Sequence, residues 1–370
     1  MEIEKIKKLR QVLHANPELS GREVKTKEIV INFLEKNTSL KLVDMGKWFY
    51  ALHFEGDSYK TIAIRSEIDA ISNGEGGAFH GCGHDGHMSI LCGLALKIDN
   101  ENLGKNILLL FQNSEEDGKG AINIAPELKN LNVSKIYGLH NLPAVEKGLA
   151  LLKEGVFFCA SKGMNIDLIG KQSHASTPEL GLNPGYLMAE LALDLKDLSI
   201  FRGYAPYSYK GVEFSDMVLV SLISMDLGTR NSYGVSPGYG NLQLTLRAAR
   251  DEDLEKLSDL VKRILEEKAK KYKIDFKLSY EDVFPDTSNS KEEVGLLEDI
   301  FKKEGIKYIF GQEPYRTSED FGWYLKKVKG CFFGVGSGED QPPLHSKNYN
   351  YPDDITEDCI NIFYKIIKNN

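Results

Sequence analysis

The sequence predicts an α/β protein whose main unit is interrupted by an inserted α+β unit, and three observations carry that reading. The chain has 370 residues and is 42% hydrophobic, which is more than one core usually serves and enough for two. Its first part alternates apolar strand-like runs with helical periodicity, the pattern of strand, helix and strand within one sheet. Its middle part has the order β-α-β-β-α-β, the split βαβ motif, which makes a complete four-stranded sheet with two helices and can fold as an insertion.

The elements follow in order. Helical spacing runs from Ile6 to Leu13, His14-Ala15-Asn16-Pro17-Glu18-Leu19-Ser20 breaks it, and a second helical pattern spans Val24 to Leu34. Strand-like runs come at Tyr50–Phe54 and Thr61–Arg65, the latter ending in the polar cluster Ser66-Glu67-Ile68-Asp69. A Gly-rich loop from Gly74 to Gly83 leads to a helix from Met88 to Ile98. The apolar strand Ile107–Phe111 then runs into Asn113-Ser114-Glu115-Glu116, and a strand at Ile136–Leu139 ends at His140. Three segments thus deliver polar residues at the C-terminal ends of apolar strands, the edge at which open α/β sheets bind ligands.

From Gly163 the texture changes. Met164–Ile169 reads as a strand, Pro184–Leu198 as a helix, Met217–Met225 and Asn241–Ala248 as strands, Asp251–Tyr272 as a long helix and Phe276–Tyr280 as a strand. The inserted unit is therefore expected at 163–283, between stretches 1–162 and 284–370 of the larger one. Beyond Phe284-Pro285-Asp286 come a helix near Glu292–Glu304, a strand at Cys331–Val335, a polar loop with His345, and a final helix from Glu357. Gly334-Val335-Gly336-Ser337-Gly338 has the glycines of a phosphate loop but neither its Lys nor its following helix, and reads as a turn.

Composition excludes several classes. A net charge of −8, with acids and bases scattered along the chain, leaves no basic stripe for nucleic acid. Met1-Glu2-Ile3-Glu4-Lys5-Ile6 alternates charge with apolar residues where a leader peptide needs an unbroken apolar run. No run of about eighteen apolar residues suggests a membrane span. The five cysteines are odd in number and sparse, which points to a reducing cytoplasm rather than a disulfide framework. Cys92, Cys159, Cys331 and Cys359 sit among apolar neighbours, as small buried hydrophobes do.

Cys82 has different company. Gly81-Cys82-Gly83-His84-Asp85-Gly86-His87 puts a thiol and two imidazoles on a glycine turn that can aim them inward, and Cys and His are good zinc ligands. Glu115 and Glu116, leaving a strand, are expected to point to opposite sides, so that one binds metal while the other faces a water. Alone, this pair reads more readily as a solvated acidic strand end, and His140 and His345 as structural histidines. Together, Cys82, His84, Glu116, His140 and His345 supply five donors, Glu115 a proton acceptor, and Asp69 a carboxylate to orient a ligand or the water. His53 and His14 read as satisfied or surface histidines. There is no Gly-x-Ser-x-Gly elbow and no His-Glu-x-x-His helix, which removes common serine-hydrolase and single-zinc-protease readings.

With these residues in view, the chain resembles the two-metal aminoacylase and carboxypeptidase family of metallopeptidases, in its amidohydrolase branch of hippurate hydrolases, auxin-conjugate hydrolases and N-acetyldiaminopimelate deacetylases. The resemblance runs through ordered blocks from His14–Leu19 and Arg65–Ile71 through Gly81–His87, Phe111–Ala121, Gly138–Pro143 and Gly170–Pro178 to Ser318-Glu319-Asp320-Phe321 and Leu344-His345-Ser346. It implies a zinc-peptidase-like α/β catalytic domain with a mixed sheet, carrying a ferredoxin-like lid that serves dimerisation. It also implies two divalent metal ions, zinc first, with manganese, cobalt or nickel as alternatives. Cys82, His84, Glu116, His140 and His345 would be their ligands, Glu115 the general base and Asp69 a carboxylate behind the ligands. His174 matches a lid histidine that stabilises the oxyanion, in many relatives from a neighbouring subunit, and Arg247 a lid arginine that binds the substrate carboxylate.

The expected substrate is a small N-acyl, foremost N-acetyl, amino acid, and the expected assembly a homodimer or homotetramer through the lid. Dipeptides or carboxypeptidase substrates are the alternative. Four departures bear on substrate. Gly234-Val235-Ser236-Pro237 stands where relatives commonly carry Asn-Val-Ile-Pro, with Asn231 the nearest amide that could substitute, Glu67 replaces the usual Asp, Asn113-Ser114 replaces the usual Pro-Ala, and the loop between Ile71 and Phe79 is shorter than is typical. Two other readings compete: a metal-binding protein without turnover, and a cysteine hydrolase using Cys82 with His84 or His140.

Overall fold

A computed structural model describes residues 3–370; Met1 and Glu2, at the head of the segment read as lacking a leader's apolar run, lie outside them. The chain divides into two compact units. The larger comprises Met1–Phe157, Thr287–Glu313 and Glu319–Asn370, and the smaller Phe158–Asp286 with Pro314–Ser318. The smaller unit thus takes in a few residues on each side of 163–283, because its first strand starts at Ala160 and its last ends at Phe284, and it includes a separate short segment.

The larger unit is built on an eight-stranded mixed sheet. Its order runs Lys41–Asp44, Phe49–His53, Asn106–Gln112, Thr61–Glu67, Val133–Pro143, Lys329–Gly338, Ala150–Leu152 and Tyr308–Phe310. The four strands from Asn106–Gln112 to Lys329–Gly338 are mutually parallel. Every residue of Thr61–Glu67 and of Asn106–Gln112 is buried, as befits parallel strands covered on both faces. Within this sheet the next strand in chain order, Asn106–Gln112, lies on one side of Thr61–Glu67 and the one after it, Val133–Pro143, on the other. The chain order therefore reverses there, and the crevice past the strand ends is a topological switch point.

The helix His84–Ile98 is apolar almost all round and buried accordingly, packed on Thr61–Glu67 and between the helices Ile3–His14 and Thr356–Asn369. It starts four residues earlier than the periodicity suggests, because the residues of its first turn are polar yet buried. The Gly334–Gly338 stretch is a correction. It continues the strand from Lys329 to Gly338 instead of turning. Its glycines are there for close approach: a Cβ on Gly336 would fall 1.9 Å from the carbonyl oxygen of Glu146, and one on Gly334 would fall 2.1 Å from the Leu142 side chain.

The smaller unit has a four-stranded sheet in the order Val218–Leu227, Tyr239–Ala248, Ala160–Ile169, Asp275–Phe284, antiparallel throughout. In chain order that is 2-3-1-4, with helices Gly185–Leu195 and Asp251–Tyr272 over a core of its own that includes Met164, Ile166, Leu191, Leu244 and Leu257. The first helix stops at Leu195 and tightens into a 3₁₀ turn at Lys196–Ser199, short of the expected Leu198. No helix of the described residues is long and apolar enough to cross a membrane.

Candidate metal centre

At the C-terminal edge of the parallel strands the structure brings together Cys82, His84, Glu115, Glu116, His140 and His345, with Asp69 behind them. Donor atoms of Cys82, His84 and His140 lie within 4.8 Å of one another, as do those of Cys82, Glu116 and His345, and those of His84, Glu115 and Glu116. Cys82 belongs to two of these sets, so all the donors form one connected group. The Cys82 Sγ is 3.4 Å from His140 Nε2, His84 Nε2 is 3.7 Å from Glu116 Oε1 and 3.9 Å from Glu115 Oε2, and His345 Nε2 is 3.6 Å from Glu116 Oε2.

Each donor is delivered by a different local device. Gly83 takes a left-handed φ of 96° and caps the helix, turning the chain so that Cys82 and His84 face one way. A Cβ at Gly83 would fall 2.4 Å from Asn141 Oδ1. His140 lies within the strand Val133–Pro143, not past its end, and its Nδ1 faces the Asn141 carbonyl at 2.9 Å, which leaves Nε2 for the site. His345 is exposed, sits at a φ of 65°, and is tied by its backbone N–H to the Gly81 carbonyl at 2.8 Å. Glu115 and Glu116 are in a turn, because the strand ends at Gln112 and Ser114 is left-handed. Strand alternation therefore does not place them on opposite sides. Both approach the same ring nitrogen of His84.

Asp69 is fully buried. Its Oδ2 accepts from Ser20 Oγ at 2.7 Å and from the Glu116 N–H at 2.9 Å, while its carbonyl and Oδ1 stand 3.1 and 3.2 Å from His84 Nδ1. These contacts orient Nε2 of His84 toward the donor group. Although burial disfavours its charge, the His84 hydrogen bond holds the Asp69 carboxyl below its ordinary value.

The electrostatics fit cations. His84 Nε2 and Glu116 Oε1 are buried without a hydrogen-bond partner among the described residues, a costly state for isolated polar atoms. A thiol, three imidazoles and carboxylates are a donor chemistry suited to zinc and its neighbours. Burial and the adjacent Glu116 and Glu115 push the Cys82 thiol well above its usual value, the reverse of what an unaided nucleophilic cysteine needs. Burial, then Glu319 and Glu116, also raise Glu115 well above the ordinary carboxylate range.

Beneath the donors lies a polar layer to whose members sequence reasoning assigned no role. Arg65 bonds Glu67, Glu319 (2.9 Å) and Asp320 (2.7 Å), and burial, with Glu319 beside it, pushes Asp320 up to about 7 even against the Arg65 charge. His14 is a satisfied histidine: its Nδ1 is 2.7 Å from Asp85, the residue after His84, and Arg10 reaches the same carboxylate. His53 pairs with Glu55 at 2.9 Å. The usable signal was polar side chains closing apolar runs: the charged Arg65 follows Ile62-Ala63-Ile64 and the amide Gln112 follows Leu108–Phe111.

In the smaller unit the predicted residues do not share a cluster. His174 is exposed on the short strand Ser173–His174, its Nδ1 2.7 Å from Ser176 Oγ. Arg247 is half-buried in Tyr239–Ala248, where Nη1 donates to Ser318 Oγ at 2.6 Å and to the Arg316 carbonyl. Asn231 is exposed in a turn at a φ of 65°, and Gly234 has open space where a side chain would go.

A switch-point crevice lined by thiol, imidazole and carboxylate donors is the mark of a metallohydrolase of the α/β class. The model of peptidase family M20/M25/M40 matches residues 63–369, and the chain belongs to that family; it is a hydrolase acting on amide bonds. It is 25% identical to the hippurate hydrolase of Campylobacter jejuni over 374 residues, covering 97% of this chain and 94% of that one. It is also 25% identical to the N-acetyldiaminopimelate deacetylase of Bacillus subtilis over 380 residues, 98% and 97% of the two chains. Among solved structures, an aminohydrolase of methicillin-resistant Staphylococcus aureus superposes with a TM-score of 0.84 at 19% identity, covering 99% and 96% of the chains. A Bacillus subtilis protein described as a dinuclear metal-binding peptidase of the M20 family gives 0.78 at 21%, covering 99% and 97%.

Proposed function

We propose that this protein cleaves the amide bond of small N-acyl amino acids, foremost N-acetyl ones, in a two-metal site. The observation that supports it most is the convergence of Cys82, His84, Glu116, His140 and His345 with Glu115 beside them. Those five residues would hold the two ions, zinc first, with manganese, cobalt or nickel as alternatives. When bound, such ions supply Lewis-acid polarisation of a carbonyl and a water whose pKa is lowered toward neutrality.

The chain's own residues do the proton work. Glu115 takes one proton from the water as its oxygen attacks the amide carbon, and returns that proton to the nitrogen as the C–N bond breaks, leaving a carboxylic acid and an amine; the acid's remaining proton then passes to the amine, which leaves as an ammonium beside the carboxylate. Asp69 fixes the His84 ring. From the smaller unit, His174 would donate to the oxyanion and the Arg247 guanidinium would bind the substrate carboxylate, with Asn231 the amide nearest in sequence to the altered Gly234 position. The names of the relatives favour acyl amino acids over dipeptides.

Glu115→Gln should keep both metals, measured by elemental analysis, and lose about 10²–10⁴-fold in kcat on an N-acetyl amino acid found active with the wild type. Retention of wild-type turnover would refute the role of Glu115. A panel of N-acetyl, N-benzoyl and N-indoleacetyl amino acids with short dipeptides assigns the substrate.

The smaller unit would also make the homodimer or homotetramer. Its edge strand Val218–Leu227 exposes Leu222, Ile223, Met225 and Leu227 along an unpaired side, a surface that isolated proteins usually guard. Light scattering should give at least a dimer for the wild type and a smaller species for Leu222→Lys.

A further inference from the structure

A chain of buried side chains runs one layer below the donors, and it touches every segment that delivers one. Gln112 Oε1 accepts from Arg65 Nε at 2.8 Å, and Arg65 bonds Glu67 through Nη1. Glu67 Oε2 accepts from His87 Nδ1 at 2.8 Å, His87 Nε2 stands 2.5 Å from Asn141 Oδ1, and Asn141 Nδ2 donates to the Tyr349 hydroxyl. All six residues are buried. Gln112 stands three residues before Glu115, Glu67 two before Asp69, His87 one helical turn after His84, Asn141 next to His140, and Tyr349 four after His345. The rings also interlock: the His87 centroid is 4.9 Å from that of His140, edge to face, and 5.6 Å from that of His84.

Donor atoms of Glu67, His84 and His87 also lie within 4.8 Å of one another, but both nitrogens of His87 already face protein partners, which suits a support better than a ligand. The donors come from stretches far apart in sequence, and each would be free to shift independently without a common support. We infer that the Glu67–His87–Asn141–Tyr349 strap, extended by Arg65 to Gln112, is a positioning frame that holds the donor segments at metal-binding spacing before any ion arrives. Glu67, where relatives usually carry Asp, has the reach to bond Arg65 with one oxygen and His87 with the other. Asn141 is central, because its amide also fills the space over Gly83, between Cys82 and His84.

This inference rests on the metal-site reading above, and the test separates the two. Full-length protein stripped with chelator is titrated with cobalt(II), following the visible ligand-field spectrum and affinity by competition with a chromophoric chelator. If the wild type binds no cobalt at the thiolate-containing site, the metal reading falls. If it binds, His87→Ala and Asn141→Ala should each weaken cobalt binding about 10–100-fold and alter the ligand-field bands. The double variant should cost no more than the worse single one, because both cut the same chain; independent packing defects would add. Tyr349→Phe removes one hydroxyl from the end of the frame and keeps the fold, so it serves if the alanine variants do not fold. It should still weaken cobalt binding measurably, whereas Tyr351→Phe, a buried hydroxyl outside the frame, should not. Wild-type affinity and spectrum in Tyr349→Phe, or additive losses in the double variant, would overturn the frame while leaving the metal site standing.

Discussion

The donor crevice of the larger unit and the polar positions of the smaller unit differ in how their residues are held. In the crevice, donor side chains from four stretches of sequence meet within a few ångströms, most of them buried, and His84 Nε2 and Glu116 Oε1 have no hydrogen-bond partner among the described residues. In the smaller unit His174 and Asn231 are exposed, and Arg247 bonds groups of its own unit. Burial without partners costs free energy, so the first arrangement persists only where something else satisfies the donors, whereas the second costs nothing in the free protein. Chemistry that the fold must pre-arrange is therefore concentrated in the larger unit. On the proposed function, recognition that can wait for a substrate would fall to the smaller one.

The sharpest way to break this contrast is to remove a donor. His84→Ala should lose bound metal and more than about 100-fold of activity, beyond what loss of an orienting partner costs; undiminished metal content would show that the crevice does not need its central imidazole. Asp69→Asn comes next. It keeps the size of the side chain but weakens the contact that orients His84, and should cost about 10–100-fold in metal affinity, read by chelator competition. A smaller and different effect is expected across the comparison. Arg247→Lys keeps the charge but loses the fork, so KM for an N-acyl amino acid should rise about tenfold with metal affinity unchanged. A change in metal affinity there would contradict the division of labour.

How far the sequence disclosed these two regions follows from the kind of signal each carries. Cys82 and His84 were legible because soft donors packed beside glycines have few other uses, and the strands ending near Asp69 and His140 were legible from apolar runs. Glu115 and Glu116 do lie beside the donor group, but not by the expected geometry: the chain leaves its strand at Gln112, so pleat alternation no longer applies, and a turn brings both to His84. The partners of His87, Asn141 and Tyr349 could not be read at all, since their hydrogen bonds join positions 20 to 208 residues apart. Gly336 was misread because a glycine needed for close approach to Glu146 looks, in sequence, like one needed for a turn.

The smallest effect isolates the smaller unit. Asp253, in the first turn of Asp251–Tyr272, has a fully buried side chain whose carboxylate accepts from the Ser215 N–H (2.8 Å), the Ser215 hydroxyl (2.7 Å), the Asp216 N–H (3.0 Å) and Lys256 (2.9 Å). Burial opposes its charge, yet Lys256 and Ser215 outweigh burial and hold the group below its ordinary value. A carboxyl with a lowered folded pKa stabilises the fold above its unfolded pKa of about 4, and that contribution disappears as pH falls through the folded value. Asp253→Asn should therefore cost about 1 kcal/mol in urea unfolding at pH 7, and the gap to the wild type should close below about pH 4. Because the contacts lie wholly within the smaller unit, cobalt affinity at pH 7 should not move. A gap that stayed constant with pH would mean that the carboxylate charge is not what anchors this turn, and a shift in cobalt affinity would mean that the donor crevice depends on the smaller unit's stability.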